Sequence, residues 1–177
     1  RIESGKETLN IKVCNIYDII ESLNSVFEKQ AEQKGLTYQC TTKIQHPYVY
    51  CDQIKFEEIL LNIVGNSVKY TKKGMVLIQI EETESGHFQC MIQDTGIGMS
   101  EEFLPSLFEL FTRERNTTLS KIPGTGLGMA IVKNLVDLMN GSIEVESELG
   151  KGSTFTITIP HKIANKDYTN RNIESSN

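Results

Sequence analysis

The chain has 177 residues, a formal net charge of −5 and four cysteines. That length suits one domain with a real core, and scattered lysines and arginines under a negative net charge exclude a duplex nucleic-acid binder. Cys14, Cys40, Cys51 and Cys90 form no CxxC pair and have no neighbouring histidine, so they read as buried reduced thiols, not as a disulfide framework or zinc site.

No apolar run approaches a membrane span and no signal peptide opens the chain. It begins at Arg1, which reads as a piece of a longer protein and leaves a membrane anchor elsewhere open. From Asn15, the positions Ile16, Ile19, Ile20, Leu23, Val26, Phe27 and Ala31 follow a helical period that Gly35 ends. "GLTYQCTTKI" alternates as a strand, and "PYVYC" offers a short second one. Asp52 can cap a helix running to about Lys69. "MVLIQIEE" and "HFQCMIQD" flank Ser85-Gly86, a hairpin signal. Ser100 caps a short helix carrying Leu104, Leu107, Phe108 and Phe111, and 112 to 123 reads as a mobile loop. "GTGLGMAIVKNLVDLMNG" is a glycine-rich turn feeding a helix that Asn140-Gly141 stops. A final hairpin joins "SIEVESE" to "STFTITIP", and 161–177 reads as a polar tail. Helices alternate with hairpins, which implies a two-layer α/β sandwich: a mixed, mainly antiparallel sheet with helices on one face.

Three stretches carry chemistry. At about 100° per residue, Glu58, Asn62, Asn66 and Lys69 share an arc of roughly 80° on the second helix. A solvated face is the ordinary reading of such a stripe, but two asparagines and Gly65 within a helix are poor helix formers. Their amides offer oxygens to a hard cation and donors to phosphate. In "IQDTGIGM", Asp94 continues in phase with Phe88, Cys90 and Ile92, so a carboxylate stands where the core face ends; it either begins a turn or accepts from the exocyclic amine of a base. Gly124, Gly126 and Gly128 precede a helix N-terminus, a setting that favours phosphate but also suits a tight turn.

"NIVGNSVKYT", "DTGIGM", "LFELFTR" and "GTGLGMAIVK", with the closing "GKGSTFTITIP", closely resemble the N, G1, F and G2 boxes and last hairpin of sensor histidine kinases. The resemblance covers roughly residues 1 to 160. It implies the Bergerat-type ATP-binding fold shared with gyrase B, mismatch-repair and heat-shock chaperone ATPases, with ATP and Mg²⁺ as cofactors. By that resemblance Asn66 ligates Mg²⁺, Asn62 and Lys69 contact phosphates or order the site, and Tyr70 packs near the nucleotide. Asp94 binds the adenine amino group, Gly96 and Gly98 shape its pocket, and Thr154 makes a water-bridged adenine contact. Gly124, Thr125, Gly126, Leu127 and Gly128 line the phosphate side, with residues 112 to 123 as the lid. Asn62, Lys69 and Arg113 are the catalytic candidates, and Arg115 is a second lid arginine within reach of the γ-phosphate. Ser67 stands where alanine is usual, and Met129 where leucine is.

His46, His87 and His161 match no phospho-accepting motif, so the resemblance implies a histidine on a separate dimerisation domain. A response-regulator receiver is the implied second partner, and the full-length protein an implied homodimer with this domain in the cytoplasm. Residues 1–14 read as the exit from the dimerisation helices, 15–160 as the catalytic domain and 161–177 as tail or linker. In ATP-hydrolysing relatives a glutamate activates water where this chain has Asn62, an amide that is no base at neutral pH. Transfer to a nucleophile on another domain is therefore favoured over an ATPase of the same fold, whose alternative base here is Glu58, and over a module that senses nucleotide without catalysis.

Overall fold

The computed structural model describes residues 8–102, 104, 107 and 126–164, with the backbone alone for 126 and 127. The elements are β1 (Lys12–Asn15), α1 (Ile16–Gln33), β2 (Thr37–Lys43), β3 (Tyr48–Cys51), α2 (Gln53–Tyr70), β4 (Met75–Glu82), β5 (His87–Asp94), α3 (Gly126–Leu138), β6 (Ser142–Glu148), β7 (Gly152–Pro160) and β8 (Lys162–Ile163).

Helix starts follow side chains that satisfy free amides. Asn15 Oδ1 accepts from Tyr17 N at 3.0 Å to cap α1, and Asp52 Oδ1 accepts from Lys55 N at 3.1 Å to cap α2. Asn140, at φ 60°, takes the left-handed turn that ends α3. The strands β4 and β5 form the hairpin expected around Gly86, and β6 and β7 the closing one.

Five strands make one sheet in the order β2-β4-β5-β7-β6. Only β2 and β4 are parallel neighbours; the other pairs are antiparallel. Along β5, Phe88, Cys90, Ile92 and Asp94 are buried while Gln89 and Gln93 are exposed, so the helices cover one face. The core lies between that face and α1, α2 and α3, with Ile59, Leu60, Ile63, Ile78, Ile80 and Ile92 fully buried. Each such side chain contributes about 1.5–3 kcal/mol relative to exposure. Helix α2 packs against both α1 and α3. Gly65 faces Phe27: a Cβ there would stand 3.3 Å from its Cζ. Its place in the helix is thus explained by close packing of α1 on α2, not by a ligand.

The packed unit extends past 15–160 on both sides. Strands β1, β3 and β8 form a second sheet with β3 in the middle. Ile163 pairs with Val49 and Lys162 with Tyr50, and Ala164 N donates to Tyr48 O at 2.9 Å. A polar tail beginning at 161 is therefore corrected for 161–164, which close the edge of β3; residues 165–177 lie outside the described residues. Cys14 and Cys90 are buried and Cys40 and Cys51 half-buried, all as free thiols.

Candidate functional site

The end of β5 and the last turns of α2 enclose a cavity of about 140 Å³. Asn66, Ser67 and Tyr70 from α2, Asp94 from β5 and Ser153 from β7 bring polar groups to it. Ile97, Met99, Leu107, Met129 and Phe155 make its apolar walls. The register explains the pairing of Asp94 with Ser153: they are direct cross-strand partners, two rungs beyond Ile92 and Phe155.

Asp94 is 7% exposed. Its Oδ1 accepts from Gly96 N at 2.9 Å and Ser153 N at 3.3 Å. Burial pushes the carboxyl above its ordinary range, opposed by the Gly96 N–H, the Ser67 hydroxyl and the Ser153 N–H. Ser67 Oγ lies near enough to favour the carboxylate, yet it is buried and completes no hydrogen bond among the described residues. The buried Ser67 hydroxyl beside this carboxylate is left with unused capacity, which is costly unless a ligand pairs it.

The glycines after Asp94 are there because nothing larger fits. A Cβ on Gly96 would stand 2.5 Å from Tyr70 O, and one on Gly98, which has φ 70°, 2.1 Å from Glu148 O. Thr154 does not join the cavity. It pairs with exposed Gln93 on the other face of the sheet, and the residue at the cavity is its neighbour Ser153, whose Oγ lies 2.7 Å from Ser147 Oγ.

On α2, Asn66 lines the cavity and its side-chain amide has no hydrogen bond among the described residues. Asn62 lies one turn back and outside the lining; its Nδ2 donates to Glu58 O at 2.7 Å. Its Oδ1 faces α3, where a Cβ on Gly128 would stand 3.1 Å away. The N-box helix and the glycine-rich helix start are thereby brought together. Lys69 is exposed, with Nζ 5.6 Å from the centre of the Tyr70 ring, and does not line the cavity. Gly126 and Leu127 open α3. Arg113, Arg115, Gly124, Thr125, Phe108, Phe111 and the 112–123 loop lie outside the described residues. Of the short helix expected after Ser100, the described part shows Leu104 N donating to Ser100 O at 3.1 Å and Leu107 buried.

The three histidines are engaged elsewhere. His46 Nδ1 and His161 Nε2 both contact Glu82 Oε2, at 2.7 and 2.9 Å, and His87 Nδ1 lies 3.1 Å from Ser85 Oγ.

Sequence reasoning missed Ser67 and Ser153 as site residues. Ser67 was visible only as a departure from alanine. Ser153 follows from the register once β7 is aligned on Asp94.

An α/β sandwich with a buried carboxylate at the end of a central strand, beside an asparagine-bearing helix, defines a small-ligand-binding domain of the nucleotide-binding type. Residues 51–163, more than half the chain, match the family described as histidine kinase-, DNA gyrase B- and HSP90-like ATPase, and the chain belongs to that family. Autoinducer 2 sensor kinase/phosphatase LuxQ of Vibrio vulnificus is 34% identical over 166 residues, which cover 90% of this chain and 19% of that protein. Aerobic respiration control sensor protein ArcB of Escherichia coli is 32% identical over 161 residues, 90% of this chain and 21% of that protein. The chain thus spans about a fifth of the curated relatives it matches. Among solved structures, full-length ShkA in complex with AMPPNP superposes with a TM-score of 0.75 at 27% identity, over 89% of this chain and 32% of that one. The catalytic domain of histidine kinase ThkA superposes at 0.71 and 23% identity, over 86% of this chain and 96% of that one, a likeness of fold.

Proposed function

We propose that this chain is the ATP-binding catalytic domain of a sensor histidine kinase, which passes the γ-phosphate to a histidine on a separate dimerisation domain. The observation that carries the reading is the buried, unpartnered Ser67 hydroxyl beside the Asp94 carboxylate in a cavity with apolar walls. An adenine presents an amino donor next to a ring-nitrogen acceptor, and the two side chains complement that edge. Ile97, Met99 and Phe155 offer the flat apolar surfaces that a purine ring needs.

Asn66, which lines the cavity, would offer its side-chain oxygen to Mg²⁺. When bound, Mg²⁺ neutralises phosphate charge. Asn62 steadies the start of α3, a helix N-terminus at Gly126, Leu127 and Gly128 that suits the phosphates; Gly124 and Thr125 join that role by the resemblance. Lys69 supplies positive charge from the last turn of α2, and Arg113 is a second source of charge by the resemblance. Asn62 has no basic atom to take a proton from water, so the domain serves an acceptor brought to it. That acceptor belongs to a dimerisation domain of the same protein, a homodimer; the phosphate goes on to a receiver domain, and the chain works in the cytoplasm beneath a membrane anchor.

Titration calorimetry with MgATP tests the binding. The wild-type chain is expected to bind, Ser67→Ala to bind about fivefold more weakly as one neutral hydrogen bond is lost, and Thr154→Ala to bind like wild type. No binding by the wild type, or the reverse order of the two variants, would contradict this reading.

A further inference from the structure

Helix α2 carries most of the cavity's polar groups, and its last turn, with Ser67 and Tyr70, ends at the cavity wall. A helix end leaves its final carbonyls without partners inside the helix. The usual remedy is a left-handed residue that folds the next amides back. Here the chain leaves through Thr71 at φ −106° and ψ 116°, an extended exit that supplies no such amides. Ser67 O accepts from the Thr71 hydroxyl at 2.7 Å, and the last three carbonyls are satisfied from elsewhere. Tyr70 O accepts from Ile97 N at 3.2 Å. Val68 O and Lys69 O both accept from one ammonium, Lys34 Nζ, at 2.6 and 3.1 Å.

Lys34 is also the residue just past the end of the neighbouring helix. It is the C-cap of α1, and its own N–H bonds to Gln30 O and Ala31 O. One residue therefore closes α1 with its backbone and α2 with its side chain. Its charge lies at the negative end of the α2 dipole, where a cation is favoured.

We propose that Lys34 is a positioning residue for the nucleotide site, an inference that rests on reading the cavity as that site. It touches no cavity group itself. By holding Val68 O and Lys69 O it fixes the last turn of α2, and with it the Ser67 hydroxyl, the Tyr70 ring and the Tyr70 carbonyl that anchors Ile97. The ammonium thereby sets the spacing between the helix and the Asp94 loop, the gap in which a base must fit. Lys34 is exposed and outside the apolar core, so its effect is on placement.

The test compares wild type, Lys34→Met and Lys34→Arg by calorimetry with MgATP and with MgADP, well below each melting temperature. Lys34→Met keeps the aliphatic stem without donors and is expected to bind both nucleotides about fivefold to tenfold more weakly, the share of two charge-assisted hydrogen bonds that reaches the ligand. Loss for ADP as well as ATP is expected because the affected turn carries Ser67 and Tyr70 at the base end of the cavity. Lys34→Arg retains parallel donors and is expected within about twofold of wild type. Amide exchange at Ile97 should accelerate in the methionine variant and not in the arginine one, a change that a mere loss of global stability would spread over the core strands instead. Wild-type affinity in a Lys34→Met variant that simply melts lower would overturn the inference. So would a methionine variant that does not fold, since the proposal gives this exposed contact no part in holding the core. Failure of the wild type to bind either nucleotide would instead refute the underlying reading of the cavity.

Discussion

Gly128 and Asn62 meet so closely that a methyl group on the glycine would stand 3.1 Å from the asparagine Oδ1. Asn62 cannot simply swing aside, because its Nδ2 is held by Glu58 O at 2.7 Å. Alanine at 128 would otherwise suit the first turn of a helix, by up to about 1 kcal/mol over glycine. Gly128→Ala is therefore expected to leave the melting temperature of the free chain unchanged or slightly raised, and to weaken MgATP binding about tenfold by displacing Asn62 and the start of α3. Calorimetry alongside thermal melting reads both. Full nucleotide affinity in this variant would show that the contact between the two helices has no bearing on the site.

Asp94 sets function against stability. Burial raises its folded-state pKa, so ionisation costs the free protein stability at any pH above that value, and the cost disappears below the unfolded value. Asparagine has the same shape, keeps an oxygen for Gly96 N and Ser153 N, and removes the charge. Asp94→Asn is expected to melt no lower than wild type at neutral pH, yet to lose about a hundredfold in nucleotide affinity because a donor then faces the adenine amino group. Wild-type affinity should also decline on acidification, beginning above the range of an ordinary aspartate, and this dependence should vanish in the variant. A destabilised variant that still binds ATP would reverse the assignment.

What the sequence made legible was periodic or cross-strand in phase. The helical spacing from Ile16 to Ala31, apart from Val26, which is exposed, the Ser85-Gly86 hairpin and the alternation that carries Asp94 onto the core face hold in the structure. Thr154, to which the resemblance gives a water-bridged adenine contact, pairs with Gln93, one rung from Asp94, and on a strand a shift of one moves a side chain to the opposite face. Hence Ser153 is in the cavity and Thr154 is not. Strands β1 and β8 escaped notice because segments of four and two residues have too little alternation to read, and their hydrogen bonds come from β3, distant in sequence. The reason for Gly65 was hidden for the same cause: its neighbour Phe27 belongs to another helix. Ser67 looked like a harmless departure from alanine until burial left its hydroxyl without a partner.

Glu82 ties the two sheets together and should be felt in acid. Burial opposes its charge, but hydrogen bonds from His46 N, the His161 and His46 rings and Gln45 N outweigh it and hold the carboxyl at about 2, against an ordinary 4.5. A depressed carboxyl contributes stability that is full above the unfolded value and is lost as pH falls through the folded one. Glu82→Gln is thus expected to melt below wild type at neutral pH, with the gap closing as the pH is lowered from about 4.5 to about 2. A gap that stayed constant over that range would show that the carboxylate's charge plays no part.

The central claim, that this domain hands phosphate to a histidine supplied from outside, is tested most directly by following the label from γ-labelled ATP. The chain of 177 residues alone is expected to bind MgATP, release phosphate very slowly and remain unlabelled, since Asn62 cannot activate water and His46 and His161 are both bonded to Glu82. Adding the dimerisation helices of its parent protein, joined or in trans, should produce acid-labile, base-stable label on those helices. Brisk Mg²⁺-dependent phosphate release by the chain alone, reduced by changing Glu58, would contradict the account in favour of an ATPase, and a folded longer protein that binds ATP but never labels would contradict it in favour of a silent nucleotide sensor.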